Sequence, residues 1–151
     1  ENRTYCNNKL KREIILAKRH GTPLSLLAFD LDHFKHINDK YGHLCGDEIL
    51  KFFTEQVTGI IRDSDMVFRT GGEEFMALLS ATDTTGAVKL ADRICKSIEK
   101  TPYANGKAVI PFTTSIGVAS FIAGDNENSL IERADQALYR AKDQGRNRTC
   151  T

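Results

Sequence analysis

The chain lacks a hydrophobic run long enough to cross a bilayer, a surplus of either charge, cysteines at metal-ligand spacing, and any repeat. A membrane-spanning helix needs about 20 consecutive apolar residues; no run approaches that and no secretory leader is visible, so no membrane partner is expected for this segment. Lys and Arg number 21 against 20 Asp and Glu, a formal net charge of +1, which removes the electrostatic case for duplex nucleic acid or an anionic membrane. The four cysteines, Cys6, Cys45, Cys95 and Cys150, lie far apart and are expected as free thiols in a reducing cytoplasm. Without internal repeats or low-complexity stretches, solenoid and linker architectures fall away. What is present is ordinary globular material: 151 residues, 40% hydrophobic and 27% charged, enough for one domain with a full core.

The chain is organised around Arg69-Thr70-Gly71-Gly72-Glu73-Glu74-Phe75. Met66-Val67-Phe68 precedes it and Phe75-Met76-Ala77-Leu78-Leu79 follows. Two glycines between strand-like runs predict a tight hairpin turn with positive φ. Paired acids at its tip repel each other and call for a cation or a basic neighbour. Taken alone, the string reads as a solvated polar turn.

Before it, residues 4 to 19 predict an amphipathic helix ending near Gly21-Thr22-Pro23. Leu24 to Phe29 is a continuous apolar run, a buried strand ending in Asp30-Leu31-Asp32. An aspartate at that position suits a metal or phosphate site. His33 to Tyr41 predicts a short helix, and Gly46-Asp47 opens a longer one to about Arg62. Beyond the hairpin, Thr82 to Thr85 offer N-caps for a helix to about Lys100. Ala104 to Lys107 is a turn, and Val109 to Phe121 one strand. Asn128-Ser129 cap a last helix from Leu130 to Gln144, Gly145 stops it, and Asn147 to Cys150 form a short closing strand.

This order predicts an α+β fold, a ferredoxin-like or palm-like βαββαβ sandwich with a mostly antiparallel sheet and surrounding helices. Its hairpin would approach the end of the first strand, bringing Asp30, Asp32, Glu73 and Glu74 within reach of one another. Converging hard oxygen ligands favour Mg²⁺ or Mn²⁺, with water and substrate phosphate completing the shell.

The hairpin motif resembles the signature of the GGDEF domain, the diguanylate cyclase family, in a Gly-Gly-Glu-Glu-Phe variant. Phe29 to Lys35, Ile37-Asn38-Asp39 and Gly42 to Asp47 resemble its second block. Ser115 to Val118 and Arg133 to Asn147 resemble the remaining blocks. The resemblance covers nearly the whole chain. The stretch that usually precedes Asn2-Arg3 is missing, so the chain is expected to be an N-terminally truncated single domain whose upstream sensor or dimerising region, and any membrane tether, lie elsewhere; the location expected is cytoplasmic.

The resemblance implies condensation of two GTP into cyclic di-GMP with loss of two pyrophosphates, each step an attack of a ribose 3′-hydroxyl on the partner's α-phosphate. It implies Mg²⁺ (or Mn²⁺) ligation by the Asp30 and Glu73 side chains and the Leu31 carbonyl. Glu73 is the candidate for activating the hydroxyl, with Glu74 or a metal-bound species as alternatives. Asp32 suits a structural hydrogen-bonding role as well as a metal role. The amides of His33, Phe34 and Lys35 would receive the triphosphate at a helix start, with Lys35 adding catalytic charge and Lys142 and Arg146 a distal phosphate pair. Lys35 reads equally as a solvated helix lysine, and the pair as a basic helix end favoured by the dipole. Asn38 and Asp47 match the guanine-binding pair, since a carboxylate accepts from both N1–H and N2–H₂. His43 belongs near that pocket or at the helix entry. Arg62 and Asp65 in Arg-x-x-Asp, with Arg93, match a product-binding inhibitory site; as a bare string they are a helix-end salt bridge. A two-fold symmetric product implies a homodimer. The competing readings are a catalytically weak sensor of GTP or cyclic di-GMP, a cyclase acting on another base, and a structural interaction domain.

Overall fold

The computed structural model describes residues 2–151. Helix α1 (Asn2–His20) leads into β1 (Leu24–Leu31), followed by α2 (Phe34–Tyr41), α3 (His43–Ile60), β2 (Met66–Arg69), β3 (Glu74–Ser80) and α4 (Thr84–Lys100). A small hairpin of β4 (Tyr103–Asn105) and β5 (Ala108–Ile110) precedes β6 (Thr114–Ser120), α5 (Glu127–Asp143) and β7 (Thr149–Cys150). The main sheet runs β2-β3-β1-β6-β7. Its neighbours pair antiparallel except β7, which is parallel to β6. Without β7, this is the strand order of a ferredoxin-like split unit.

Helices cover both faces of the sheet, which is why β1 is buried at every position and reads as a continuous apolar run. Leu27, Phe29 and Leu31 enter a core with α2, α3 and α4, where Phe53 packs against Phe29 and against Phe75 at a centroid distance of 4.8 Å. Leu24, Leu26 and Ala28 enter a second core with Leu10 and Ile14 of α1 and Leu130 and Leu138 of α5. Each fully buried side chain of this size contributes about 1.5–3 kcal/mol. By strand alternation Asp30 continues the second series, toward α5.

Several boundaries differ from the sequence reading. Helix α3 begins at His43, three residues early, and Gly46 is buried inside it: a Cβ there would lie 1.8 Å from Asn38 Oδ1, so glycine lets α2 and α3 close together. The turn at Ala104–Lys107 is the tip of the β4–β5 hairpin. Val109–Phe121 is not one strand, because Pro111, which has no N–H to donate, and its two successors separate β5 from β6. Helix α5 starts three residues early, capped by Asn126, whose Oδ1 accepts from the Ser129 amide while Ser129 Oγ accepts from the Asn126 amide. Asp83 caps α4 through the Gly86 amide, within the stretch expected to cap it.

The hairpin turn is also different. Gly71 and Gly72 are not left-handed. The connection spans four residues instead of two, and the Thr70 and Gly71 amides both donate to the Glu74 carbonyl at 2.9 and 3.2 Å. What glycine supplies is room: a Cβ on Gly71 would sit 2.6 Å from Glu74 Oε2, and Gly72 faces open space.

The four cysteines are free, and burial pushes the thiols of Cys6 and Cys95 up to about 11, leaving them protonated and unreactive.

At Gly117 of β6 an added Cβ would meet backbone, the Ala134 carbonyl and the Leu138 amide, both at 2.2 Å. Gly117→Ala is expected to destabilise the domain by about 2–3 kcal/mol, read as a lower urea midpoint at unchanged m-value. A midpoint equal to wild type would contradict the close approach of α5 to the sheet.

Candidate active site

The end of β1, the turn after β2, the start of α2 and the end of α5 meet at one rim of the sheet. In the β1–β3 ladder Asp30 stands opposite Glu74, and the Leu31 amide donates to the Glu73 carbonyl at 3.2 Å. A cavity of about 190 Å³ opens there, lined by Asp30, Leu31, Asp32, His33, Phe34, Lys35, Glu73, Lys142 and Arg146. It gathers the residues expected for phosphate and metal from three separate stretches of the sequence, 30–35, Glu73 and 142–146.

Local backbone geometry aims these groups. His33, just before α2, is left-handed at φ 55°, so the chain turns sharply and presents the first turn of α2 to the cavity. Unpaired amides and the helix dipole at such a start favour an anion. Gly145 at φ 120° ends α5, and left-handed Arg146 and Asn147 at φ 66° and 46° return the chain toward β1. Left-handed non-glycine residues cost about 1–2 kcal/mol each, a strain that clusters at functional rims.

Asp30 is 7% exposed. Burial raises its carboxyl above the usual aspartate value, the Lys142 ammonium hydrogen-bonded to Oδ2 opposes the shift, and the charges of Glu73 and Glu74 add to it. Asp32 behaves differently. Its Oδ2 accepts from Thr113 Oγ1 at 2.6 Å and the Asn147 amide at 3.0 Å, and its Oδ1 accepts from Ser115 Oγ at 2.6 Å. The expected four-acid cluster is therefore not formed; among the described residues no three acids, histidines or cysteines converge as a metal cage. Asp32 lines the cavity too, but with both oxygens engaged it leaves Asp30 and Glu73 as the candidate cation ligands. That donor set fits a hard divalent cation such as Mg²⁺, which is held by one or two carboxylates and completed by water and substrate phosphate. Glu74 turns away, lining a second cavity of about 230 Å³ with Arg3, Asp135, Tyr139 and Lys142.

Asp47 lines a further cavity of about 310 Å³ with Leu50, Lys51, Thr54, Arg69 and Phe75. Asn38 lies against Gly46, one residue before Asp47, and its Oδ1 is buried with no hydrogen-bond partner. An orphaned buried acceptor costs about 1–3 kcal/mol and is the kind of atom a ligand satisfies. His43 is the exposed first residue of α3 and lines neither cavity.

On the far side, Arg62, Asp65 and Arg93 line one cavity of about 480 Å³. Both readings of the Arg-x-x-Asp string have a basis there. Arg62 Nε pairs with buried Asp65 at 3.4 Å, Asp65 also accepts from the Ser80 amide at 3.2 Å, and Arg62 Nη2 reaches the Ser80 carbonyl at 2.6 Å.

Sequence reasoning missed Thr113, Ser115 and Asn147 as the holders of Asp32. The available signal was Thr113-Thr114-Ser115, polar residues opening an otherwise buried strand. It also missed Arg69, whose Nε donates to the Gly71 and Gly72 carbonyls at 3.0 and 3.1 Å and shapes the turn.

A mostly antiparallel sheet whose rim joins carboxylates, a helix start and three cations places the domain in the palm-like class. Comparison with known proteins makes this specific: the family model "Diguanylate cyclase, GGDEF domain" matches residues 1–148, and the chain belongs to that family. It is 45% identical over 149 residues to diguanylate cyclase DosC of Escherichia coli, covering 97% of this chain and 32% of that protein. It is 38% identical to the response regulator PleD of Caulobacter vibrioides, covering 97% and 33%. The chain thus spans about a third of the length of these relatives. Among solved structures, the active GGEEF domain of a Vibrio cholerae diguanylate cyclase aligns with TM-score 0.91 and 36% identity over 98% of this chain and 94% of that one. The GGDEF domain of Caulobacter crescentus DgcB, solved with c-di-GMP, aligns with TM-score 0.93 and 28% identity over 98% and 88%.

Asp32→Ala leaves two hydroxyls and an amide without their acceptor. It is expected to cost about 2–3 kcal/mol in urea unfolding while Mn²⁺ affinity, titrated in parallel, stays unchanged. Undiminished stability with lost Mn²⁺ binding would assign Asp32 to the cation instead.

Proposed function

We propose that this chain is a diguanylate cyclase domain that condenses two GTP into cyclic di-GMP and two pyrophosphates. The observation that carries the reading is the single cavity joining Asp30 and Glu73 to the start of α2, Lys35, Lys142 and Arg146. Cyclases of this family are metal-dependent; Mg²⁺ or Mn²⁺, held by Asp30, Glu73 and the Leu31 carbonyl, would supply charge neutralisation at the phosphates.

The chain's own groups divide the remaining work. The amides at His33, Phe34 and Lys35 and the side chains of Lys35, Lys142 and Arg146 bind the triphosphate and draw charge toward the leaving pyrophosphate. Asp47 accepts from guanine N1–H and N2–H₂, and Asn38 reaches the base from α2. Glu73 takes the proton of the attacking 3′-hydroxyl; a new P–O bond forms at the α-phosphorus as the bond to pyrophosphate breaks. Gly72, with open space beside it, lets a nucleotide approach the turn. The one-domain, one-pocket arrangement calls for two copies facing each other across a two-fold axis. The matched relatives are about three times longer, and an upstream segment that pairs two copies belongs to this proposal, as do a cytoplasmic location and restraint of turnover by cyclic di-GMP at Arg62, Asp65 and Arg93. Among the described residues no helix is long and apolar enough to cross a membrane.

Incubation with GTP or ATP and Mg²⁺, followed by mass analysis, is expected to yield cyclic di-GMP from GTP alone. Glu73→Gln is expected to lower the rate by about 100-fold or more with GTP binding retained. GTP binding without any product from the wild-type chain would convert the reading to a nucleotide sensor.

A further inference from the structure

The cavity beside Asp47 holds a second charged side chain that the family resemblance did not single out. Asp47, Lys51 and Thr54 occupy successive turns on one face of α3 and line it together, with Leu50 and Phe75 as buried apolar walls. An acid four residues ahead of a lysine on a helix ordinarily closes an ion pair. Lys9 and Glu13, at the same spacing, do pair at 3.5 Å. Asp47 and Lys51 form neither an ion pair nor a hydrogen bond with each other among the described residues, so an acceptor and a donor stand side by side, both open to the cavity. The cavity's other cation, Arg69, has its Nε engaged by the Gly71 and Gly72 carbonyls.

We infer that Lys51 donates to guanine O6 while Asp47 accepts from N1–H and N2–H₂, making Lys51 a further base-reading residue. The inference rests on the GTP reading above and extends it. The guanine edge presents a carbonyl acceptor next to an N–H donor, the complement of an ammonium next to a carboxylate. Adenine presents the reverse order. Its N6 amino group would face Lys51 and its N1 lone pair would face Asp47, so both contacts turn repulsive together. Two opposed mismatches discriminate more strongly than one, because each leaves a polar group of the site unpaired. Leu50 and Phe75 supply the apolar surface that covers the ring.

The test compares GTP with 6-thio-GTP, in which sulfur, a weak acceptor, replaces O6 and both N–H donors remain. Each displaces a fluorescent GTP analogue from the wild-type chain and from Lys51→Met, which keeps the stem but removes the donor. Wild type is expected to prefer GTP by about 10-fold, the scale of one hydrogen bond to a charged group. In Lys51→Met, GTP binds more weakly and the preference falls to about 1. A variant that keeps the wild-type preference, even while losing affinity for both nucleotides equally, overturns the inference and leaves Lys51 as a general attraction for the phosphates. A wild-type chain that binds neither nucleotide overturns the GTP reading as well.

Discussion

The ion pair between Lys142 at the end of the last helix and Asp30 at the end of the first strand is the contact on which the site depends. It joins residues 112 apart in sequence, so it exists only once nearly the whole chain has folded. Burial disfavours the charged form of Asp30, and the nearby charges of Glu73 and Glu74 disfavour it further; the Lys142 ammonium is the opposing influence. An acid in that position is a standing demand for positive charge. Lys142 meets it in the protein alone, and the Asp30–Glu73 donor set is suited to a divalent cation that would meet it more strongly. The reach of Lys142 depends in turn on how closely α5 lies on β6, which the missing side chain of Gly117 permits.

Asp32 supplies the complementary tie. Asp30 serves the cavity, whereas Asp32 serves the scaffold around it. Three hydrogen bonds from Thr113, Ser115 and Asn147 anchor the end of β1 to the entry of β6 and to the left-handed return after α5. That return carries Arg146 into the cavity beside Asp30 and Glu73 at an unfavourable φ, and the Asn147–Asp32 bond offsets part of the strain. Rigidity on this side and charge on the other are two products of the same Asp-Leu-Asp string.

Much of the architecture was legible because it rests on patterns that a linear sequence carries. Leu24–Phe29 as a doubly buried strand, the hairpin after Met66, a cap within Thr82–Thr85 for α4 and the order of elements all follow from apolar periodicity and capping. The misread boundaries share a cause. Gly46, Pro111 and Asn126 act through partners distant in space or through a single backbone group: glycine inside a helix reads as a break until Asn38 is seen pressing on it, and a proline inside an apolar run is easily passed over. The left-handed states of His33, Arg146 and Asn147 had no signal, since residues other than glycine rarely adopt them. For the site, residue types and spacing pointed to Asp30 and Glu73, and the family resemblance added Lys35, Lys142 and Arg146; one cavity contains all five. The role of Asp32 stayed open because its three partners come from two remote segments.

The two adjacent glutamates show why a motif is not a uniform acidic patch. Glu74 opens β3 in register with Asp30, while Glu73 still belongs to the turn and hands its carbonyl to the Leu31 amide. Neighbouring residues at a strand entry project to different sides, so one acid enters the cavity with Lys35 and Arg146 and the other enters the cavity with Arg3, Asp135 and Tyr139. Lys142 lines both. Glu74 therefore acts on Asp30 from behind, through its charge, without occupying the space where phosphate would bind. The glycine at position 71 belongs to the same arrangement, because any side chain there would collide with the Glu74 carboxylate and disturb the partition between the two acids.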